Sequence, residues 1–250
     1  MRRGSLLVCV LVLSLVVCLG FNFYQEGKLG SLSDQNNVLG VELEMVDVLA
    51  QVKAGVDFEL EKIGASVVAA SQRLSGVGLS GDGARLVLSD LVSNSSFIID
   101  AATSNLDNVM VVVEPSSHSN MEGSYIGEQD YLNTHSQNPI QPSLTNVMAL
   151  VEGFDGCVIV APVFDFEDVL VGSVSVIFNP NVLINTVIDS VAPKDGFEFN
   201  TLQLDGYVIF DTNSVLEGTN VFSDPAYSNM SQFLALAQDM VEQSAGYGCF

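Results

Sequence analysis

The sequence predicts an α+β protein in which one long helix precedes an antiparallel β-sheet. Hydrophobic residues make up 48% of the chain and charged residues 15%, so the chain can bury a core and is not a disordered polymer. Between Val46 and Leu74, apolar or small side chains recur at helical spacings, which predicts a helix with one apolar stripe. Residues 143–151, 157–164 and 169–178 are β-rich runs joined by tight turns, and such short connections make neighbouring strands antiparallel.

The charge of the chain excludes one class of partner. Thirty acidic and 8 basic residues give a net charge of -22, and Lys194 is the only basic residue after Arg85. A surface of this kind repels polyanions at long range, so nucleic acid is not the partner.

The N-terminal segment, residues 1–28, predicts export. Residues 5–23 carry no charge and follow Arg2 and Arg3. As a helix this run crosses a hydrocarbon core of about 30 Å, and the two arginines keep the N-terminus inside. We therefore expect an anchor in the cell membrane with residues 29–250 outside the cytoplasm. A cleaved signal peptide and a lipid on Cys18 are the alternatives, and both also export the remainder.

The long helix is predicted over residues 34–78, where it would reach about 60 Å at 1.5 Å per residue. Its apolar stripe packs against its own domain, pairs with a second copy of the chain to form a homodimer, or does both. The alternatives are left open by the pattern alone.

Two further units follow the long helix. The first, residues 79–194, contains a short helix that Ser80 or Asp82 can cap. After it we predict strands at 97–101 and 109–113, a polar stretch at 115–142 with a helix near 127–135, the three strands named above, and a helix after Pro180. The second unit, residues 195–250, is predicted to hold strands at 197–204 and 207–210, a helix at 227–244 and the start of a strand at Tyr247.

Short motifs in these two units resemble the Cache family of extracytoplasmic sensor domains, whose modules have a PAS-like antiparallel sheet. Residues 162–165, Pro-Val-Phe-Asp, followed by 172–175, Gly-Ser-Val-Ser, resemble a strand-turn-strand signature of the family. Residues 205–211 and 218–220 resemble the opening of a second module of the same kind. The resemblance implies a double-Cache sensor whose second module is incomplete.

The sequence departs from the family pattern in three ways. The turn after Asp165 has Glu167 and Asp168 where glycine is usual. The last strands of the second module are missing, and no second apolar span or output segment follows. We therefore expect a truncated product or a fragment.

The resemblance also implies a ligand pocket between the sheet and residues 115–142. It nominates Tyr125, Gln129, Tyr131 and Asp165 as ligand-binding residues. Relatives that bind amino acids hold the carboxylate with an arginine near this segment. Because the sequence has no Arg or Lys from residue 86 to 193, an amine or a neutral metabolite is the expected ligand unless Arg85 reaches in.

Signals for catalysis and metal binding are weak. No serine lies on a G-x-S-x-G turn, and His118 and His135, with Glu122 and Glu128 between them, match no compact zinc motif. The pair Asp165 and Asp168 suits calcium, but turn formation explains it equally. We predict no catalytic residue, no metal, no cofactor and no enzyme.

The leading hypothesis is therefore a small-molecule-sensing domain of a membrane-anchored prokaryotic signalling protein. One alternative is a structural or surface-interaction protein with the same fold, and another is a secreted hydrolase. Cys157 and Cys249 could form a disulfide outside the cell, but buried and unpaired thiols are the favoured interpretation.

Overall fold

A computed structural model describes residues 15–16, 32–127, 142–191 and 198–242. The chain divides into two compact units. Unit 1 contains Phe58–Pro180, and unit 2 combines Leu11–Asp57 with Asn181–Phe250. The module boundaries expected from the sequence, 79–194 and 195–250, stay predictions.

Helix α1 spans Leu32–Val77 and confirms the predicted long helix. Its buried residues include Val56, Ile63, Val67 and Leu74 of the predicted stripe, whereas Val46, also expected there, is 58% exposed. The helix ends at Gly78, whose amide donates to the Leu74 carbonyl at 2.8 Å. Gly78 has a φ of +80°, the left-handed conformation that glycine adopts readily at a helix C-terminus.

Helix α2 spans Gly81–Ser93 and buries Ala84, Val87, Leu88 and Leu91. Ser80 occupies the N-cap position with extended backbone, as one of the two expected caps, but its side chain makes no capping hydrogen bond. The apolar face of this helix therefore stabilises it more than its cap does.

Unit 1 is built on an antiparallel sheet in the order β3-β2-β7-β6-β4, with β5 paired to β6. The two longest neighbours, β6 and β7, pair along almost their whole length. The strands are β2 Ile98–Asn105, β3 Met110–Glu114, β4 Ser143–Leu144, β5 Met148–Ala149, β6 Asp155–Phe164 and β7 Leu170–Phe178. The α+β, PAS-like architecture is thus confirmed, although the strand expected over 143–151 is two short strands.

The turn between β2 and β3 and the turn between β6 and β7 have the same geometry. Oδ1 of Asn105 accepts from the amides of Asp107 and Val109, both at 3.0 Å. Oδ1 of Asp165 accepts from Glu167 and Val169 at 2.9 and 3.0 Å. Asn108 and Asp168 take the left-handed position, with φ of +56° and +58°. The missing glycine after Asp165 therefore leaves a regular turn, because aspartate and asparagine tolerate this conformation better than other non-glycine residues.

Unit 2 contains a three-stranded sheet in the order β1-β8-β9, with β8 at Asn200–Leu202 and β9 at Val208–Asp211. Helix α3 spans Pro180–Val191 and helix α4 spans Ser231–Glu242. A core of buried side chains joins the sheet to α4, and it consists of Leu202, Val208, Val221, Tyr227, Ala237 and Met240. The β8–β9 hairpin, which would be only marginally stable by itself, therefore has a third strand and a helix packed on it.

The third strand, β1, is Leu15–Val16, which pairs antiparallel with β8. These two residues lie inside the run predicted as a membrane-spanning helix, so the prediction of one continuous helix over 5–23 is wrong at this point. In the described ranges, no helix is both long and apolar enough to cross a membrane.

Several sequence predictions fall outside the described residues. These are most of the helix near 127–135, the strand beginning at Tyr247, and Cys249. In the polar stretch the structure has a 3-10 helix at Ser116–Met121, which the sequence pattern did not predict.

Candidate functional site

The two faces of the unit 1 sheet differ in chemistry. Residues opposite each other in an antiparallel pair project to the same face. One face carries the fully buried apolar side chains Ala101, Ile159, Ala161, Val174 and Val176. Thr103 belongs to it, and its hydroxyl donates to the carbonyl of Leu79 between α1 and α2 at 2.7 Å. The helices therefore cover this face.

The opposite face, here called the polar face, carries the polar side chains Asp100, Ser104, Ser143, Ser173 and Ser175 among the apolar Ala102, Val160 and Ile177. The register places Ser104 opposite Ser173, and their hydroxyls lie 2.9 Å apart. Ser143 and Ser175 are half-buried. A row of hydroxyls on the inner part of a sheet supplies donors and acceptors without fixed charge.

Residues 115–127, here called the covering segment, pack over one end of the polar face. Met121 and Ile126 contact the cluster of Ala102, Met110 and Val113. The segment then returns along β3, with the amide of Ile126 donating to the Asn108 carbonyl at 2.9 Å. The covering segment is therefore held by both apolar and backbone contacts.

A salt bridge with three members fixes the start and middle of this segment. Arg85 on α2 donates to Glu114 at 3.1 Å and to Glu122 at 2.8 Å. Glu122 also accepts from the amide of Val113 at 3.1 Å. These hydrogen bonds raise the pKa of Arg85, so it is a fixed cation engaged by two carboxylates.

The second polar contact joins the covering segment to the sheet. Nδ1 of His118 lies 2.9 Å from Oδ2 of Asp100, whose side chain is 3% exposed. Burial raises the pKa of Asp100 to about 6; the contact with His118 opposes this shift and repulsion from Glu152 adds to it. Asp100 is therefore a buried acid that gains or loses its proton close to neutral pH.

The residues expected to bind the ligand have different positions. Tyr125 is 58% exposed, and its neighbour Ile126 makes the contact with the cluster under the covering segment. Asp165 directly follows β6, and its carboxylate accepts the two turn amides described above. Gln129 and Tyr131 lie outside the described residues.

Sequence reasoning missed Asp100 as a site residue and treated His118 as part of a polar loop. One signal was available, because Asp100 is the single charge in the β-rich run from Phe97 to Ser104. A charged residue at the centre of an apolar strand is unusual unless it has a partner or a function.

The described residues offer little for metal or covalent chemistry. In the part of the chain that the structure describes, no three His, Cys, Asp or Glu side chains group closely enough to hold a metal ion. Cys157 is a free, buried cysteine, and burial raises the pKa of its thiol to about 12. The thiolate needed for nucleophilic attack is therefore strongly disfavoured at this position.

Comparison with known families identifies unit 1. Residues 58–180 match the family described as HK/GC/chemotaxis protein-like, sensor domain. This is a family of sensor domains rather than enzymes, and its match coincides with unit 1. No curated protein sequence gives a significant match.

Solved structures with this fold include receptor domains. An extracellular ligand binding receptor from Desulfohalobium retbaense is 30% identical, with a TM-score of 0.69; the alignment covers 81% of this chain and 35% of the receptor chain. The chain therefore spans about a third of that receptor.

Two chemoreceptor domains share the fold at low identity. The sensory domain of the Campylobacter jejuni chemoreceptor Tlp3 with isoleucine bound has a TM-score of 0.59 at 10% identity, covering 77% of this chain and 79% of that one. The ligand binding domain of the Pseudomonas aeruginosa amino acid chemoreceptor PctC in complex with GABA has a TM-score of 0.52 at 13% identity, covering 75% and 81%. The matched family and the shared fold lead to one conclusion: residues 58–180 form a sensor domain of the Cache type, similar to the HK/GC/chemotaxis protein-like sensor family.

Proposed function

We propose that the chain is the extracytoplasmic sensing part of a membrane-bound signalling protein and that it binds a small amine or a neutral polar metabolite. The polar face of unit 1, flanked by the covering segment, is the proposed binding surface. Its hydroxyls and its buried carboxylate can hydrogen-bond a small polar molecule. The two chemoreceptor domains named above hold isoleucine and GABA, which supports a small ligand.

The charge around this face is the observation that favours the ligand class. The sequence has no Arg or Lys from residue 86 to 193. Arg85, the nearest basic residue before this range, is already engaged by Glu114 and Glu122. An anionic ligand would therefore meet acidic side chains without a cation to hold it, whereas an ammonium or a neutral group would not be repelled.

The ligand contacts expected from the sequence remain part of this proposal. Tyr125, Gln129, Tyr131 and Asp165 would contribute aromatic and polar contacts around the polar face. Since Asp165 already accepts two turn amides, its contact with a ligand would have to be compatible with the turn. We assign recognition of a positive charge on the ligand mainly to a different carboxylate.

Attachment to the cell membrane is proposed from the sequence. The uncharged run at residues 5–23 after Arg2 and Arg3 supports export of the remainder whether the segment is retained, cleaved or lipidated. Residues 29–250 are therefore expected to lie on the outer side of the cell membrane.

A homodimer through α1 is proposed as the partner arrangement. Leu43, Val46 and Phe58 are 63%, 58% and 63% exposed and lie within one third of the helix circumference. Exposed Ala50 and Ala54 lie between them on the same stripe. Pairing with the same stripe of a second copy would remove these apolar side chains from water.

Calorimetric titration of the full 250-residue chain in detergent tests the proposed function. The panel contains putrescine, ethanolamine, 4-aminobutyrate, isoleucine, 1,4-butanediol and succinate. We expect an amine or a neutral polar compound to bind with a Kd between micromolar and millimolar, and succinate to bind weakly or not at all. Binding of succinate alone, or of no compound, would contradict the proposal.

A pair of variants localises the binding. Ser175→Phe fills the half-buried part of the polar face and should abolish binding, because the ring occupies the volume needed by the ligand. Ser93→Phe, at the exposed end of α2, is the matched control and should leave binding within a factor of two. Equal binding by both variants would exclude the polar face as the site.

A further inference from the structure

Asp100 lies at a position where an ionised carboxylate is energetically unfavourable. It lies in β2 between Ile99 and Ala101, with its side chain 3% exposed. Taking a carboxylate out of water is unfavourable unless a partner compensates it. An asparagine in its place would be similar in size and would avoid the buried charge.

The contact with His118 is not needed to hold the covering segment in place. It therefore does not by itself explain why a carboxylate is present at position 100. His118 belongs to the 3-10 helix at Ser116–Met121, in which no residue is buried, and its side chain is 32% exposed. The apolar contacts of Met121 and Ile126 and the salt bridge of Arg85 already fix the covering segment. The Asp100–His118 pair is therefore additional to the contacts that hold the segment in place.

Two titratable groups face Asp100, and one of them adds negative charge. His118 approaches from the covering segment, and Glu152, in the turn before β6, repels the ionised carboxylate. On the sheet itself, Asp100 lies opposite Ile177, and the nearest hydroxyl is that of Ser175, diagonal to it. A cation brought to this position would be attracted by both carboxylates.

We propose that Asp100 is the residue that recognises a cationic nitrogen of the ligand, and that the ligand's ammonium takes the place of His118 at Oδ2. When the site is empty, His118 occupies the carboxylate oxygen; when an amine binds, Asp100 pairs with the ammonium and the histidine ring moves aside. This inference rests on the proposed function and specifies the chemistry of the same site.

The first test requires no variant. Putrescine stays positively charged between pH 5 and pH 7, so its affinity for the full chain reports changes in the protein. Ionisation of Asp100, with a pKa of about 6, favours the cation as the pH rises. We expect calorimetric titration to show roughly tenfold tighter binding at pH 7 than at pH 5. A flat or inverted profile would overturn the inference.

Two variants then separate Asp100 from its surroundings. Asp100→Asn keeps the shape and should weaken putrescine binding at pH 7 at least tenfold and flatten the pH profile. Asp90→Asn removes a carboxylate that pairs with Arg73 on the exposed side of α2, and it should bind putrescine like the wild type. Thermal unfolding of each variant checks that it is folded.

The outcomes distinguish this inference from the proposed function. If Asp165→Asn loses putrescine binding while Asp100→Asn retains it, the inference is wrong and the sensing function stands with a different anchor. If 1,4-butanediol binds as tightly as putrescine in the wild type, charge recognition by Asp100 is wrong while a neutral ligand still fits. If no compound of the panel binds, both proposals fail.

The histidine ring gives an independent readout. The chain has two histidines, so the proton NMR signals of His118 can be assigned with a single His118→Asn variant. Saturating putrescine should shift the ring signals of His118, because the ring loses its contact with Asp100. Unchanged His118 signals in a putrescine-bound chain would overturn the proposed exchange.

Discussion

Burial of Asp100 makes the stability of the folded chain depend on pH. Its pKa rises from 3.8 to about 6 on folding, so the unfolded chain releases this proton first as the pH increases. The contribution of Asp100 to stability is therefore most favourable below pH 3.8, falls as the pH rises toward 6, and is constant above it. A shift of this size corresponds to about 3 kcal/mol at pH 7.

Replacement of Asp100 by asparagine should consequently stabilise the fold at neutral pH. We expect the free energy of unfolding of Asp100→Asn to exceed that of the wild type by about 1–3 kcal/mol at pH 7.5, with a smaller difference at pH 4.5. Urea denaturation at the two pH values measures this. Asp165→Asn is the control, since Asn105 forms the same turn with an amide. An Asp100→Asn variant less stable at pH 7.5 than at pH 4.5, relative to wild type, would contradict the sign.

Single residues were predictable from sequence where local chemistry decides their role. Turn formation was one of two interpretations of Asp165 and Asp168, calcium binding being the other, and the structure shows the turn. The contacts of Arg85 with Glu114 and Glu122 were not predictable, because they join residues 29 and 37 positions apart. Such pairings depend on how α2 packs on the sheet, which no local pattern encodes.

At the level of secondary-structure elements, helix α1 is predicted to mediate dimerisation. If the stripe of Leu43, Val46 and Phe58 pairs two copies, Phe58→Glu places two charges in the interface and should weaken dimerisation at least tenfold. Leu86→Glu is the matched control, because Leu86 is 62% exposed on α2. Sedimentation equilibrium of the full chain in detergent measures both. A wild-type chain that stays monomeric at 100 μM, or a dimer that Phe58→Glu leaves intact, would contradict the proposed dimer.

The periodic elements were predictable, and the aperiodic ones were not. The long helix and the strands of unit 1 follow from apolar spacing and β-branched residues. The 3-10 helix at Ser116–Met121 has no buried residue and no apolar period, so the sequence carries no signal for it. Strand β2 runs to Asn105, beyond the predicted end at Ala101, because Ser104 pairs with Ser173 across the sheet. That polar pair looks like a turn in the sequence alone.

One glycine shows how closely two of these strands approach. A Cβ on Gly172 would overlap the carbonyl oxygen of Ser104, and the φ of this residue is +155°. In the sequence alone, Gly172 is recognisable only as part of a family signature. Its physical role is to let β7 start directly beside the end of β2.

For the whole molecule, the resemblance to Cache sensors was found from short motifs and is confirmed by the match at residues 58–180. The anionic character of the chain was equally available from composition. The binding surface was not, because Asp100, Ser143, Ser173 and Ser175 share one face only when β2 pairs with β7, β7 with β6 and β6 with β4. Sequence therefore predicted the kind of protein, while the fold identifies the surface on which a ligand would be recognised.

Hydrogen–deuterium exchange of the full chain, with and without the tightest-binding compound of the panel, tests the central claim most directly. Ligand binding on the polar face should slow the exchange of amides in β6, β7 and the covering segment, because their opening would then require release of the ligand. The amides of residues 200–242 in unit 2 serve as the internal reference and should change little. Slower exchange confined to unit 2, or no change in unit 1 at saturating ligand, would contradict the account.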